Sequence, residues 1–102
     1  MFIERRSKRR FPLDSEISFQ SAYEPGSHKG NGRLVDMSSK AVAFTAERNL
    51  PAGAYVQIVI PWPACLDDRI PIKVTVLGRV MGKRGEVVVV SIGDYEFQTR
   101  RA

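Results

Sequence analysis

IKVTVLGRVM, residues Ile72 to Met81, alternates apolar and polar side chains. Successive side chains of a β-strand point to opposite faces of the sheet, so this alternation predicts a strand with one buried face. The inward set is Ile72, Val74, Val76 and Val80, and the outward set is Lys73, Thr75 and Arg79. Helical periodicity is hard to find anywhere in the chain, so the segment indicates an all-β fold.

Five further segments show strand patterns of the same kind. They are Leu13 to Gln20, Arg33 to Met37, Val42 to Ala46, Tyr55 to Ile60 and Val87 to Val90. We expect inward positions at Ile17 and Phe19 in the first and at Val56, Ile58 and Ile60 in the fourth. Six short strands separated by turn signals predict a six-stranded antiparallel β-barrel, because closure leaves no unpaired edge.

The connections follow from glycine and proline. Gly82 to Gly85 predicts a turn, and Ser21 to Asn31 and Pro61 to Pro71 predict long loops. After the last strand, the tail from Asp94 to Ala102 is too short for more than about two helical turns.

Composition is that of one small domain. The chain has 102 residues, 43% of them apolar, which is enough for one core. It contains no apolar run long enough to span a membrane and no apolar secretory signal near its start. Cys65 is the single cysteine, so an internal disulfide is excluded, and we expect a cytoplasmic location.

The N-terminal segment ERRSKRRFPL, Glu4 to Leu13, is strongly basic. One glutamate faces Lys8 and four arginines, which are Arg5, Arg6, Arg9 and Arg10. Like charges at this density repel one another, so the segment either binds an anion or is a basic tail that aids solubility. Guanidinium groups suit the anion, because their planar fork pairs with phosphate oxygens or with the O6 and N7 atoms of guanine.

A second motif favours the interpretation that the basic segment binds an anion. GRLVDMSSKAVAF, Gly32 to Phe44, places Asp36 and Ser38 between two apolar runs. An arginine block before a first strand, followed by Asp-x-Ser-x-x-Gly at a strand end, resembles the PilZ domain family over nearly the whole chain. The family's RxxxR frame is satisfied twice, by Arg5 with Arg9 and by Arg6 with Arg10. The Phe-Pro-Leu that follows Arg10 resembles the family's usual continuation, so we favour Arg6 and Arg10.

The resemblance implies a PilZ-type split β-barrel over residues 13–96, a flexible basic arm over residues 1–12 and a tail over residues 97–102. It also implies a non-catalytic receptor for cyclic di-GMP that relays the level of this messenger to an unidentified effector protein, with no cofactor. By the resemblance, the four arginines bind phosphates and guanine edges, Asp36 accepts from guanine N1–H and N2–H, and Ser38 binds a polar edge nearby.

The second motif departs from the family pattern at its end. Ala41 stands where the family expects glycine, and Lys40 stands where a second glycine is common. Glycine permits a positive φ or close approach of a ligand, and we expect alanine or lysine to follow only at a cost in strain. We therefore expect weaker binding of cyclic di-GMP than in a domain with the intact motif.

Two alternatives stay open. The chain could be a PilZ-like interaction module without nucleotide binding, which Lys40 and Ala41 favour. It could be a basic barrel for nucleic acid, but its aromatic residues do not interleave with the basic block. We do not expect an enzyme, because no nucleophile and base occur at a recognisable spacing.

The remaining polar and aromatic candidates are weaker. His28 has no partner at metal-ligand spacing, so we expect no metal site. Asp67 and Asp68 are adjacent and lack a neighbouring base, which favours a charged loop tip. Trp62 either closes one end of the barrel, the interpretation we favour, or stacks on a base or a partner.

Overall fold

The computed structural model describes residues 15–24, 27–66 and 70–99. These residues form six strands and no helix. The strands are β1 (Glu16–Ser21), β2 (Gly30–Met37), β3 (Ala41–Ala46), β4 (Tyr55–Leu66), β5 (Ile70–Arg84) and β6 (Val87–Thr99).

The strands close into a barrel in the order β1, β2, β3, β6, β5, β4, with β4 pairing back to β1. Every neighbouring pair is antiparallel. The prediction of a six-stranded antiparallel barrel is confirmed. Two pairings join strands that are not consecutive in the chain, β1 with β4 and β3 with β6, and the second of these brings the second motif beside the C-terminal strand.

The core consists of the inward side chains of all six strands and Leu50. Within the described part of the chain every buried side chain is apolar. Ile17 and Phe19 on β1, the three inward residues of β4, and Val74, Val76 and Val80 on β5 are buried as the alternation predicts. Phe44 of β3 contacts Phe19 of β1 with ring centroids 5.6 Å apart, which links the two strands on either side of β2.

The prediction of a loop over Pro61 to Pro71 is wrong for most of its length. β4 continues to Leu66 and β5 begins at Ile70, with Cys65 opposite Pro71. The pairing is irregular between Pro61 and Cys65. A proline cannot donate to the ladder, and an irregular segment lets a strand continue past it.

The end of the chain also differs from the sequence prediction. β5 extends to Arg84, so the turn after it is at Gly85 and Glu86, where Gly85 has a φ of 63°. β6 does not stop at Val90 but continues to Thr99. The sequence pattern does not predict the second half of β6, because its residues are mostly polar and a register shift near Gly93 interrupts the two-residue period. The connection after β1 is shorter than predicted, since β2 begins at Gly30.

Several sequence predictions concern positions outside the described residues. These are the arginine motif of Arg5, Arg6, Arg9 and Arg10, the aspartates Asp67 and Asp68, and the side chain of Trp62.

Candidate functional site

Asp36 is exposed because a β-bulge interrupts β2. Leu34 pairs with Phe44 and Asp36 pairs with Ala43, so Val35 is the extra residue. In a regular strand Leu34 and Asp36 would share a face. Since Leu34 is buried, the Asp36 carboxylate would then point into the core. The extra residue reverses the alternation, so that Val35 and Asp36 both face solvent while Met37 returns to the core.

The Asp36 carboxylate is partly fixed by its own backbone. Its Oδ1 atom accepts a hydrogen bond from the Met37 N–H at 2.9 Å. Its other oxygen accepts no hydrogen bond from any residue that the structure describes. An ionised carboxylate is an acceptor only, with about four lone-pair sites, so the exposed Asp36 keeps acceptor capacity for a ligand.

Ser38 closes the turn between β2 and β3. Its hydroxyl oxygen accepts from the N–H groups of Lys40 at 3.1 Å and Ala41 at 3.2 Å. Its own backbone N–H donates to the Ala41 carbonyl oxygen at 2.9 Å. The Ser38 side chain therefore stabilises the turn beside Asp36, and its hydroxyl lies at the exposed surface.

Ala41 has ordinary strand geometry. It is the first residue of β3 and pairs with Ser91 of β6. Among the described residues other than glycine, only His28 has a positive φ, at 53°. The expectation of backbone strain at Lys40 and Ala41 is therefore wrong. The hydrogen bonds of Ser38 close the turn without a residue of positive φ. Only the close approach of a ligand remains as a reason for glycine at these positions.

The motif continues into a row of paired residues on the outside of the barrel. Ala41 lies opposite Ser91, Ser91 opposite Arg79, and Arg79 opposite Tyr55. The Arg79 guanidinium lies over the Tyr55 ring, 5.9 Å from its centroid. The alternation of β5 predicted that Arg79 faces outward, but only the pairing of β6 with both β3 and β5 makes it a neighbour of the motif.

The chain enters the barrel close to the motif. The carbonyl oxygen of Ser15 accepts a hydrogen bond from the Leu34 N–H at 2.8 Å, two residues before Asp36. The segment that carries the arginine motif therefore leads directly to the strand that carries Asp36. Asp36, Ser38 and Ala41 are brought together at this end of the barrel, and the arginines lie outside the described residues.

Comparison with models of known protein families matches residues 4–101 to the PilZ domain. The chain belongs to the PilZ domain family. Searches of curated proteins and of solved structures found no match. PilZ domains are in general non-catalytic receptor modules for cyclic di-GMP, and the match includes both the arginine segment and the Asp36 motif. No helix among the described residues is long and apolar enough to cross a membrane.

Proposed function

We propose that this PilZ domain binds cyclic di-GMP and, without catalysing a reaction, relays the level of this messenger to a partner protein. Family membership supports the class of ligand. The observation that carries the proposal for this chain is the hydrogen bond between Ser15 and Leu34. It places the first described residue after the arginine segment beside the strand of Asp36, which supports binding of one ligand by both halves of the motif.

The chain length allows the arginines to contact a ligand at Asp36. Arg10 precedes Ser15 by five residues and Arg6 precedes it by nine. Fully extended segments of these lengths span at most about 18 Å and about 32 Å. Leu34 and Asp36 are only about 7 Å apart along β2. Both arginines can therefore reach a dinucleotide that rests on this end of the barrel.

The donors and acceptors of these residues complement guanine. The N1–H and N2–H groups of guanine are donors, and the free carboxylate oxygen of Asp36 accepts from them in our proposal. The O6 and N7 atoms are acceptors, and an arginine donates to both in a bidentate contact. Arg6 and Arg10 make these contacts or bind phosphate, assisted by Arg5 and Arg9.

The turn residues complete the proposed site. Ser38 holds the turn and presents its hydroxyl beside the ligand, and Ala41 provides a small side chain over which a planar base can lie. In this proposal the arginine arm changes position when the ligand binds, and an effector protein recognises that change in the cytoplasm.

Titration calorimetry tests this proposal, with cyclic di-GMP as the ligand and with GMP and a single-stranded oligonucleotide as controls. We expect saturable binding that is selective for cyclic di-GMP. Absence of binding would contradict the proposal and favour an interaction module that does not use the nucleotide. Equal binding of every polyanion would instead indicate a nonspecific basic surface.

A further inference from the structure

A groove of about 360 Å³ lies on the outside of the barrel, across β4, β5 and β6. We call it the Tyr55–Arg79 groove. Its walls include Tyr23, Tyr55, Leu77, Arg79 and Asp94, and its floor includes Gly78. Ser91 also lines it, so the groove begins at the residue that pairs with Ala41 of the motif.

The floor of the groove lies at a register shift between β5 and β6, where two of the lining residues are glycines. Gly78 pairs with Ile92 while Leu77 pairs with Asp94, so Gly93 is the extra residue of β6. A Cβ atom on Gly78 would point inward, against the carbonyl oxygen of Ser91 and the buried Val90 side chain, so only the backbone of Gly78 faces the groove. The backbone therefore forms the base of the groove, and the bulge turns Asp94 outward at one edge, opposite the exposed Leu77.

The walls of the groove are apolar and exposed. Tyr23 is 76% exposed, Tyr55 46% and Leu77 42%. The two tyrosine rings meet edge to face with centroids 5.5 Å apart, so each limits the movement of the other. Met81 is also exposed and shares an adjoining recess with Arg79, which extends the apolar surface along β5. Large exposed apolar side chains grouped around one groove are typical of a docking surface.

Arg79 is the one cationic residue among the described residues that line the groove, and Asp94 is the one carboxylate. Arg79 stacks on Tyr55, and no carboxylate of the described residues forms an ion pair with it. Its guanidinium is oriented by the ring and keeps its hydrogen-bond donors for a partner. Asp94, at the edge, already accepts from the Tyr95 N–H at 2.9 Å. Tyrosine and arginine together are the residues that most often supply the binding energy of protein interfaces.

We propose that the Tyr55–Arg79 groove binds an acidic, apolar segment of a partner protein. A carboxylate of the segment pairs with Arg79, and a neighbouring aliphatic or aromatic side chain packs between Tyr55 and Leu77. A second copy of this chain fits less well, because a two-fold contact centred on the groove would bring two Arg79 side chains together.

The groove also lies where it can relay ligand binding at the motif to a partner protein. Ala41 and Arg79 flank Ser91 on neighbouring strands, so they are about 10 Å apart, two strand spacings. This part of the inference rests on the proposed function, because it names the partner surface of the proposed receptor. Peptide binding to the groove itself is measured without nucleotide, so its failure is distinguishable from failure of cyclic di-GMP binding.

The test uses two-dimensional ¹H–¹⁵N NMR of the whole chain and a capped hexapeptide of alternating aspartate and leucine. Two control peptides replace aspartate by lysine or leucine by glycine. We expect saturable shifts at the amides of Tyr55, Gly78 and Arg79 with the aspartate–leucine peptide. The lysine peptide should leave them unchanged, and the glycine peptide should bind at least about tenfold more weakly.

Matched variants assign the effect to the groove. Arg79→Ala should weaken peptide binding about tenfold or more, whereas Arg48→Ala, which removes another exposed arginine, should not. Tyr55→Ala should weaken it, whereas Tyr95→Ala, at a tyrosine of similar exposure, should not.

Three results would overturn the inference. They are no saturable shift at the groove up to about 10 mM peptide, equal binding of the lysine peptide, and equal loss in both members of a variant pair. Groove shifts produced instead by GMP or by an oligonucleotide, with none from the acidic peptide, would assign the groove to a nucleotide and would also overturn it.

Discussion

The hydroxyl oxygen of Ser38 accepts a hydrogen bond from the backbone N–H of Ala41 at 3.2 Å, across the turn that joins β2 to β3. The same oxygen accepts from the Lys40 N–H, and the Lys40 carbonyl oxygen accepts from the Ile92 N–H at 2.9 Å. The turn is therefore bonded to its own first residue and to β6. This arrangement fixes the end of the barrel where Asp36 lies.

Removal of the Ser38 hydroxyl should lower stability even without ligand. Ser38→Ala leaves two backbone donors of the turn without their side-chain acceptor, and we expect a loss of about 1 kcal/mol. For a domain of about this size, that loss lowers the melting temperature by about 4 to 8 °C. Ser39→Ala is the matched control, because Ser39 is exposed in the same turn and its hydroxyl makes no hydrogen bond with any described residue. Equal melting temperatures for the two variants would contradict the role of Ser38.

Neutralisation of Asp36 should weaken cyclic di-GMP binding with little effect on stability. Asp36→Asn keeps an oxygen for the Met37 N–H, but the variant removes the charge and can present an amide donor to the donor edge of guanine. Asp94→Asn is the control, because Asp94 also follows a bulge and also accepts from the next N–H at 2.9 Å. Calorimetry should show weaker binding for Asp36→Asn alone. A lower melting temperature with unchanged affinity would make Asp36 a structural cap.

The two arginine frames should differ in their contribution to affinity. If Arg10 makes a bidentate guanine contact, Arg10→Ala should cost about 1 to 3 kcal/mol of binding free energy. Arg5→Ala should cost less, because we assign the motif to Arg6 and Arg10. Calorimetry on both variants measures the difference. Binding that survives Arg10→Ala but is lost in Arg5→Ala would assign the motif to the other frame.

Glycine at position 41 should not relieve backbone strain. Since Ala41 already has strand geometry, Ala41→Gly should lower stability by about 0.4 to 1 kcal/mol through the larger entropy of the unfolded chain. The sequence also predicts tighter ligand binding in this variant, and with strain removed as a cause, only better access of the ligand to the backbone could produce it. Chemical denaturation measures the first effect and calorimetry the second. Unchanged affinity would show that Ala41 does not limit the site.

Alanine at Gly32 should destabilise the barrel. A Cβ atom there would collide with the backbone carbonyl oxygen of Thr45 on β3, so the two strands would have to separate. We expect a cost of about 1 to 3 kcal/mol, as in an overpacked core. Gly82→Ala is the control, because a Cβ atom there meets nothing within 4 Å and the residue has no positive φ. Denaturant unfolding of the two variants should separate them clearly.

The sequence alone predicted the strands of the barrel, most of their inward residues and the family motif. Alternation in β5 is a local property, because each side chain's face depends on its position along its own strand. The family motif is local too, since Asp36 and Ser38 are two residues apart. The sequence did not predict the strand residues after Ile60 or the second half of β6. Prolines in the first segment and polar residues in the second break the strand pattern, but irregular pairing accommodates them without ending the strand.

Only the tertiary structure decided which way Asp36 and Asp94 face and which residues adjoin the motif. By strict alternation Asp36 shares a face with the buried Leu34, and Asp94 shares one with Ile92, which packs against the core. The bulges at Val35 and Gly93 turn both carboxylates to solvent, and a bulge is defined by its pairing with another strand. Likewise, Arg79 lies near Ala41 only because β6 pairs with both β3 and β5, a contact between segments far apart in the chain.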